Sequence, residues 1–331
     1  MSSLAAGVLW IGVVAYAVFA GADFGAGLWD LVAGDAERGA RPRALIDHAI
    51  TPVWEANHVW LVFCLVMLWT AFTTVFVAIM HQLALPLWIA AIGIVLRGSG
   101  FAFRKVATRT THQRLYGAAF AASSVITPFA MGMIAGAIAS GRVTVPPHAP
   151  ASFPWWNPTS VMGGILAVAT CAYLSGVYLV ADANRVGDHE LASYFTRRAI
   201  VAAFAAGVVA LAGIFVLSTD AHHIFERLAG RALPIVLLSA VAGLGALWAL
   251  RSGRISRAPR ALATIAVASI VAAWGVAQYP DLLPGQVTIQ QAASPDVTLV
   301  WLVGIAVAAV VIVVPAFAVL YALDQRNVLE S

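Results

Sequence analysis

Nine long apolar segments divide this sequence, and they constrain its fold more than any other feature. Each approaches or exceeds the roughly 20 residues that a helix needs to cross a bilayer. The chain is 61% hydrophobic and only 10% charged, whereas soluble domains carry about 25% charged residues. The pattern therefore predicts an all-α, polytopic transmembrane protein. We place the segments at residues 4–27, 53–79, 82–103, 115–139, 160–181, 199–217, 232–250, 261–278 and 297–322.

The stretches between the segments are short, and none is long enough to fold by itself. We therefore expect one integral membrane domain over residues 1–331. Long apolar runs, rather than alternating ten-residue strands, exclude an outer-membrane barrel. The first segment has no basic region before it, which favours a retained span over a cleaved signal. The net charge of +4 lies in short loops, so it indicates topology and not nucleic-acid binding.

The basic residues are distributed unequally between the two sides of the predicted membrane. Fifteen of the 19 lysines and arginines lie after segments one, three, five, seven and nine, and only three lie on the opposite side. Cytoplasmic loops carry the excess of positive residues. The distribution predicts an N-terminus outside and a C-terminus in the cytoplasm. The remaining basic residue, Arg97, lies inside the third segment.

The stretch TPVWEANHVWL, residues 51–61, places polar groups at the start of the second segment. Glu55 and His58 are three residues apart and share one face of a helix. Trp54 lies four residues before His58 on the same side, and Asn57 lies beside them in sequence. Charge inside hydrocarbon is unfavourable. The stretch therefore requires polar partners from other segments.

Orientation gives these residues a depth. Asp23 lies near the cytoplasmic end of the first segment, and Glu55 and His58 lie at the cytoplasmic beginning of the second. Arg97 lies about 22 Å from the outer end of the third segment, at 1.5 Å per residue. We therefore predict that Asp23, Glu55, His58 and Arg97 reach similar depth and form an ion-paired cluster.

The cluster allows two interpretations. Asp23 and Glu55 either anchor Arg97 in a purely structural network, or form a cytoplasmic entrance for protons or a headgroup site. Ionisable residues inside membranes are functional by default, and a carboxylate beside an imidazole can relay protons near neutral pH. A metal or haem ligand at His58 is disfavoured, because no second inward histidine lies at matching depth. A secondary transporter is also disfavoured, because the charges lie to one side and no repeat is visible.

Four stretches resemble subunit II of the cytochrome bd-type quinol oxidases. They are GADFGAGLWDL, TPVWEANHVWL, LRGSGFAFR and WGVAQYPDLLPGQVTIQQAASP. They occur in the order that is found in this family, with its number of spans and its orientation. The resemblance covers essentially the whole chain.

The resemblance implies two four-helix bundles plus one peripheral helix, in a heterodimer with subunit I. It places two haems b and haem d in subunit I, and it implies no haem or metal in this chain. It also implies a structural quinone or lipid, and it does not decide whether a small third subunit joins. The complex would lie in the bacterial cytoplasmic membrane, oxidise quinol and reduce oxygen to water.

The resemblance also assigns roles to residues of the cluster. Glu55 matches the acidic position at the proton entrance, and Asp23 and Arg97 match the other charged positions. We expect Glu55, His58 and Asp23 to form this entrance. We expect Arg97, together with Asn57 and Trp54, to hold the charge network in place.

Overall fold

The chain is almost entirely helical. The computed structural model describes residues 1–35, 37–50, 54–107, 109–146, 152–252 and 257–325; within these ranges it leaves out the side chains of residues 54–56, 105, 110, 313–314, 317–318 and 320–325. The helices are α1 (Ser2–Leu31), α2 (Ala40–Ile50), α3 (Trp54–Ala71), α4 (Thr73–Gln82), α5 (Ala84–Val106), α6 (Thr110–Ala139), α7 (Pro158–Arg185), α8 (His189–Asp220), α9 (His222–Ala229), α10 (Leu233–Arg251), α11 (Ala258–Gln278), α12 (Ile289–Ala292) and α13 (Asp296–Gln325).

The long helices coincide with the predicted segments. Within the described residues, seven helices are long and apolar enough to cross a membrane: α1, α5, α6, α7, α8, α10 and α11. The bent pair α3 and α4 passes the same criteria together and brings the number to eight. The ninth predicted segment lies on α13, whose apolar part runs over Asp296–Ile312. The all-α membrane fold is therefore confirmed, while the orientation of the termini stays a prediction.

The second predicted segment, 53–79, is wrong as one continuous helix. The chain leaves the helical conformation at Phe72, and α3 and α4 meet there at an angle of 119°. A break inside a membrane exposes backbone carbonyls that need new partners. Ser294 supplies them, because its N–H donates to the carbonyl of Ala71 at 2.8 Å and its hydroxyl donates to that of Thr70 at 2.7 Å. No proline or glycine marks the break in the sequence, so its cause is tertiary.

The contacts divide the long helices into two groups. One contains α1, the α3–α4 pair, α5 and α6, and the other contains α7, α8, α10 and α11. Helix α1 joins them, since it packs against α3 and α6 on one side and against α7 and α11 on the other. Helix α13 lies at the side against α1 and α3. This arrangement agrees with the two bundles and one peripheral helix that the resemblance implies.

The loop between α11 and α13 is ordered, although its sequence excludes a spanning helix. Strands β1 (Asp281–Leu283) and β2 (Val287–Thr288) form an antiparallel hairpin, with Gly285 in the turn at φ +69°. Thr288 and Gln291 then form a capping box at the start of α12. This loop brings Ser294 to the break between α3 and α4.

Glycine decides how closely α1 approaches α7. A Cβ atom at Gly25 would overlap the backbone carbonyl of Cys171, and it would also meet the Cβ of Ser175. Backbone contact of this kind is typical of small residues at membrane helix interfaces. The sequence GADFGAG therefore fixes the joint between the two helix groups.

We expect Gly25→Ala to destabilise the protein by about 1–3 kcal/mol, because the added methyl group overpacks the α1–α7 interface. The measurement is the melting temperature of the purified complex. Gly7→Ala is the matched control on the same helix, since a Cβ there meets no atom within 4 Å among the described residues. Equal melting temperatures for the two variants would contradict the packing role of Gly25.

Candidate functional site

A buried ion pair joins α1 and α5. The Nη2 atom of Arg97 donates to Oδ1 of Asp23 at 3.0 Å and to the backbone carbonyl of Asp23 at 2.8 Å. Both side chains are only 1% exposed. A guanidinium can satisfy a carboxylate and a carbonyl together because it offers five donors in a fixed plane. The pair therefore neutralises two charges that the apolar interior could not hold separately.

Helix α6 completes the surroundings of Arg97. Its Nε donates to the hydroxyl of Ser124 at 3.1 Å, and that hydroxyl donates to the carbonyl of Phe120 at 2.6 Å. The rings of Phe24 and Phe120 lie 5.1 and 4.8 Å from the Cζ of Arg97. Such contacts are favourable for a desolvated cation. Three helices thus contribute to one charged site.

Small residues allow these helices to approach. A Cβ at Gly27 would overlap the side chain of Ser124, and one at Gly100 would meet the carbonyl of Tyr116 at 2.8 Å. Both glycines lie in the stretches that carry Asp23 and Arg97. The same short sequences therefore supply the charges and the space in which those charges meet.

A second charged layer lies one step further along α1 and α5. Asp30 is 4% exposed and forms ion pairs with Arg104 and with Arg43, whose Nε lies 2.8 Å from Oδ1 of Asp30. Arg104 also pairs with Asp47 of α2. The sequence analysis did not identify this layer. A signal was present, because Asp30 follows Asp23 by seven residues and Arg104 follows Arg97 by seven, which places each pair on one helix face.

The predicted site residues are only partly brought together. Asp23 and Arg97 are in direct contact. The ring of His58 lies 6.3 Å from that of Phe24 in an edge arrangement, so Phe24 separates His58 from Arg97. Asn57 is buried at 6% exposure. The side chains of Trp54 and Glu55 lie outside the described part of the structure, so the predicted place of Glu55 beside Arg97 stays a prediction.

The two oxygens of the Asp23 carboxylate differ in their surroundings. Oδ1 accepts from Arg97, whereas Oδ2 is buried and has no hydrogen-bond partner among the residues that the structure describes. Buried polar atoms without a partner are rare in native proteins. The carboxylate therefore retains an acceptor position that a water molecule or another mobile donor can use.

Polar groups outside the spans are of a different kind. Arg41 of α2 holds Asp188, the N-cap of α8, at 2.8 Å. The Leu191 N–H and Arg41 hold the pKa of the Asp188 carboxyl below its usual value. At the other end of the helices, His223 lines a cleft of about 500 Å³ with Arg227 and Asp281. Burial and then Arg227 lower the pKa of His223. Neither group is buried as deeply as the Asp23–Arg97 pair.

The described residues offer no metal centre. Among them, no group of three or more His, Cys, Asp and Glu side chains is placed to hold a metal ion. The chemistry available at the Asp23–Arg97 site is therefore that of a carboxylate, a guanidinium and a hydroxyl, with an imidazole one ring away. These groups exchange hydrogen bonds and protons.

A polytopic helical membrane protein with a buried Asp–Arg pair between its first helices is the class that this fold and site define. The chain belongs to the cytochrome bd terminal oxidase subunit II family, whose model matches residues 1–323. This membership confirms the resemblance seen in the sequence. With its apolar helices, it makes the chain a multi-pass protein of the bacterial inner membrane.

Individual relatives are distant in sequence. The chain is similar to the cytochrome bd ubiquinol oxidase subunit 2 of Bacillus subtilis, with 24% identity over 221 residues. The matched stretch covers 66% of this chain and 63% of that relative, which is less than two thirds of its length. The fold is similar to a chain of the bd oxidase from Geobacillus thermodenitrificans, with a TM-score of 0.77 and 21% identity over 98% of this chain and 99% of that one.

We expect Arg97→Gln to reduce assembly strongly, because it leaves the Asp23 carboxylate buried without its cation, a change of about 3–5 kcal/mol. The measurement is the yield and melting temperature of the complex in membranes. Arg142→Gln is the matched control, since its pair with Asp220 is 38% exposed at the arginine and such pairs contribute about 0–1 kcal/mol.

The double variant Asp23→Asn with Arg97→Gln tests whether charge is the cause. Removing both charges should restore part of the lost stability, since no uncompensated ion then remains buried. A double variant as unstable as the single one would show that packing, and not charge balance, makes Arg97 necessary.

Proposed function

We propose that this chain is subunit II of a membrane-bound quinol:oxygen oxidoreductase and that its charged helix ends form the proton entrance of that complex. The partner is subunit I, which by family resemblance holds two haems b and haem d. The complex oxidises quinol on the outer side and reduces oxygen to water with cytoplasmic protons. Proton-motive force follows because protons are taken up on one side and released on the other.

The observation that carries the proposal is the Asp23–Arg97 pair with its partly unsatisfied carboxylate. Asp23 Oδ2 accepts no hydrogen bond from the described residues, although the carboxylate is almost fully buried. A site built only for stability would be expected to satisfy both oxygens. An acceptor left open beside a fixed cation is suited to receive a mobile proton donor such as water.

The second charged layer supports a path from the cytoplasm to this site. Asp30 and Asp23 lie on one face of α1, about 10 Å apart along the helix. Asp47 is partly exposed, with 33% of its side chain accessible, and Arg104 connects it to the buried Asp30. The charges thus extend stepwise from the surface to the interior. Glu55 and His58 begin α3 on the same predicted side of the membrane, where Glu55 would accept entering protons with the help of His58.

A purely structural role is the second candidate, and one observation favours it. Arg97 is well satisfied by Asp23, Ser124 and two aromatic rings, as expected of an anchor that fixes the order of helices. In that case the cluster would be needed for assembly and not for turnover. The structural quinone or lipid and a small third subunit also stay predictions.

We expect Glu55→Gln in the assembled complex to slow oxygen reduction by on the order of tenfold or more, because it removes a proton-accepting group. The haem spectrum and the yield should be unchanged. The measurement is oxygen consumption per haem between pH 6 and 9, roughly the range in which a carboxylate–imidazole relay responds to pH. Glu37→Gln is the control, since Glu37 is an exposed carboxylate on the same predicted side.

The outcomes separate the two candidates. Slower turnover at normal yield supports a proton entrance at Glu55. Normal turnover per haem, with or without a lower yield, would refute it and favour the structural role.

A further inference from the structure

Two hydroxyl groups lie beyond the Asp23–Arg97 pair without a partner. The hydroxyl oxygens of Tyr16 and Thr127 are buried, and neither makes a hydrogen bond to the described residues. Asp23 Oδ2 shares both properties. Nearly all buried polar atoms in native proteins bind protein or ordered water. Three such atoms in one part of the protein therefore require a common explanation.

The helical geometry places these groups in sequence from the cytoplasmic end. Tyr16 precedes Asp23 by seven residues on α1, so it lies on the same face about 10 Å deeper. Thr127 follows Ser124 by three residues on α6 and shares its face. A Cβ at Gly93 would overlap the hydroxyl of Thr127, so Thr127 adjoins α5 one turn beyond Arg97.

The surroundings of Tyr16 connect it with the ion pair. Its ring packs on the buried cluster of Ala20, Phe24 and Cys171, and Phe24 covers the guanidinium of Arg97. Its hydroxyl lies within the electrostatic range of both Asp23 and Arg97. Tyr16 therefore belongs to the same polar region as the pair and is not an isolated core tyrosine.

We propose that ordered water links Asp23 Oδ2 to the hydroxyls of Tyr16 and Thr127, and that protons pass along this line toward the middle of the membrane. This inference rests on the proposed proton entrance and adds two conducting residues to it. A hydroxyl can conduct because it accepts and donates at once. As the oxygen receives a proton from one water, it releases its own proton to the next, so that Tyr16 and Thr127 stay neutral and no oxidant is needed.

The test replaces both hydroxyls with groups of the same shape. Tyr16→Phe with Thr127→Val should slow oxygen consumption per haem several-fold in the assembled complex. It should also enlarge the ratio of rates in H₂O and D₂O, since proton transfer then limits turnover. Yield and haem spectrum should not change, because neither hydroxyl bonds to the described protein.

Two further variants separate conduction from packing. Tyr16→Phe with Thr127→Ser keeps one hydroxyl and should recover part of the rate. Tyr173→Phe removes another buried hydroxyl that has no partner among the described residues, but its ring packs in the core on the other side of α7. It should leave the rate and the isotope ratio unchanged.

The results also distinguish this inference from the proposed function. Slow Glu55→Gln turnover together with a normal Tyr16→Phe, Thr127→Val rate would overturn the path through these hydroxyls and leave the entrance standing. An equal loss in Tyr173→Phe would overturn it as well. If the Tyr16 and Thr127 double variant fails to assemble, the rates of the two single variants decide, and normal rates in both would refute the path.

Discussion

A guanidinium inside hydrocarbon must find acceptors, and the arrangement of the first helix group follows from that requirement. Arg97 obtains a carboxylate and a carbonyl from Asp23, a hydroxyl from Ser124 and two aromatic faces. These groups belong to α1 and α6, while Arg97 belongs to α5. The three helices can therefore pack only in the register that brings these levels together. Because an unpaired buried ion is strongly destabilising, this contact selects one packing among many apolar alternatives.

The same contact relates stability to the proposed function. One carboxylate oxygen of Asp23 is fixed by Arg97, and the other is left without a protein partner among the described residues. The fixed oxygen holds the helices, and the open oxygen is available for exchange with water. Repetition at seven residues places Asp30 and Tyr16 above and below on the same face of α1. A single helix face thus carries anchoring groups and groups suited to proton transfer.

The break at Phe72 shows how distant parts of the chain cooperate. The carbonyls of Thr70 and Ala71 lose their helical partners, and Ser294 replaces them. Ser294 lies more than two hundred residues away, after the hairpin that precedes α13. In a membrane no solvent is available to satisfy such carbonyls. The ordered loop before α13 is therefore part of what allows α3 and α4 to bend.

The sequence by itself determined the helical membrane fold, the position of the spans and the contact between Asp23 and Arg97. It could do so because a spanning helix satisfies its backbone locally, and because the burial of opposite charges demands that they meet. Only the tertiary structure decided the bend at Phe72 and the pairing of Asp30 with Arg104. Both depend on how neighbouring helices and loops are rotated and spaced, which is a property of contacts between segments and not of any one segment.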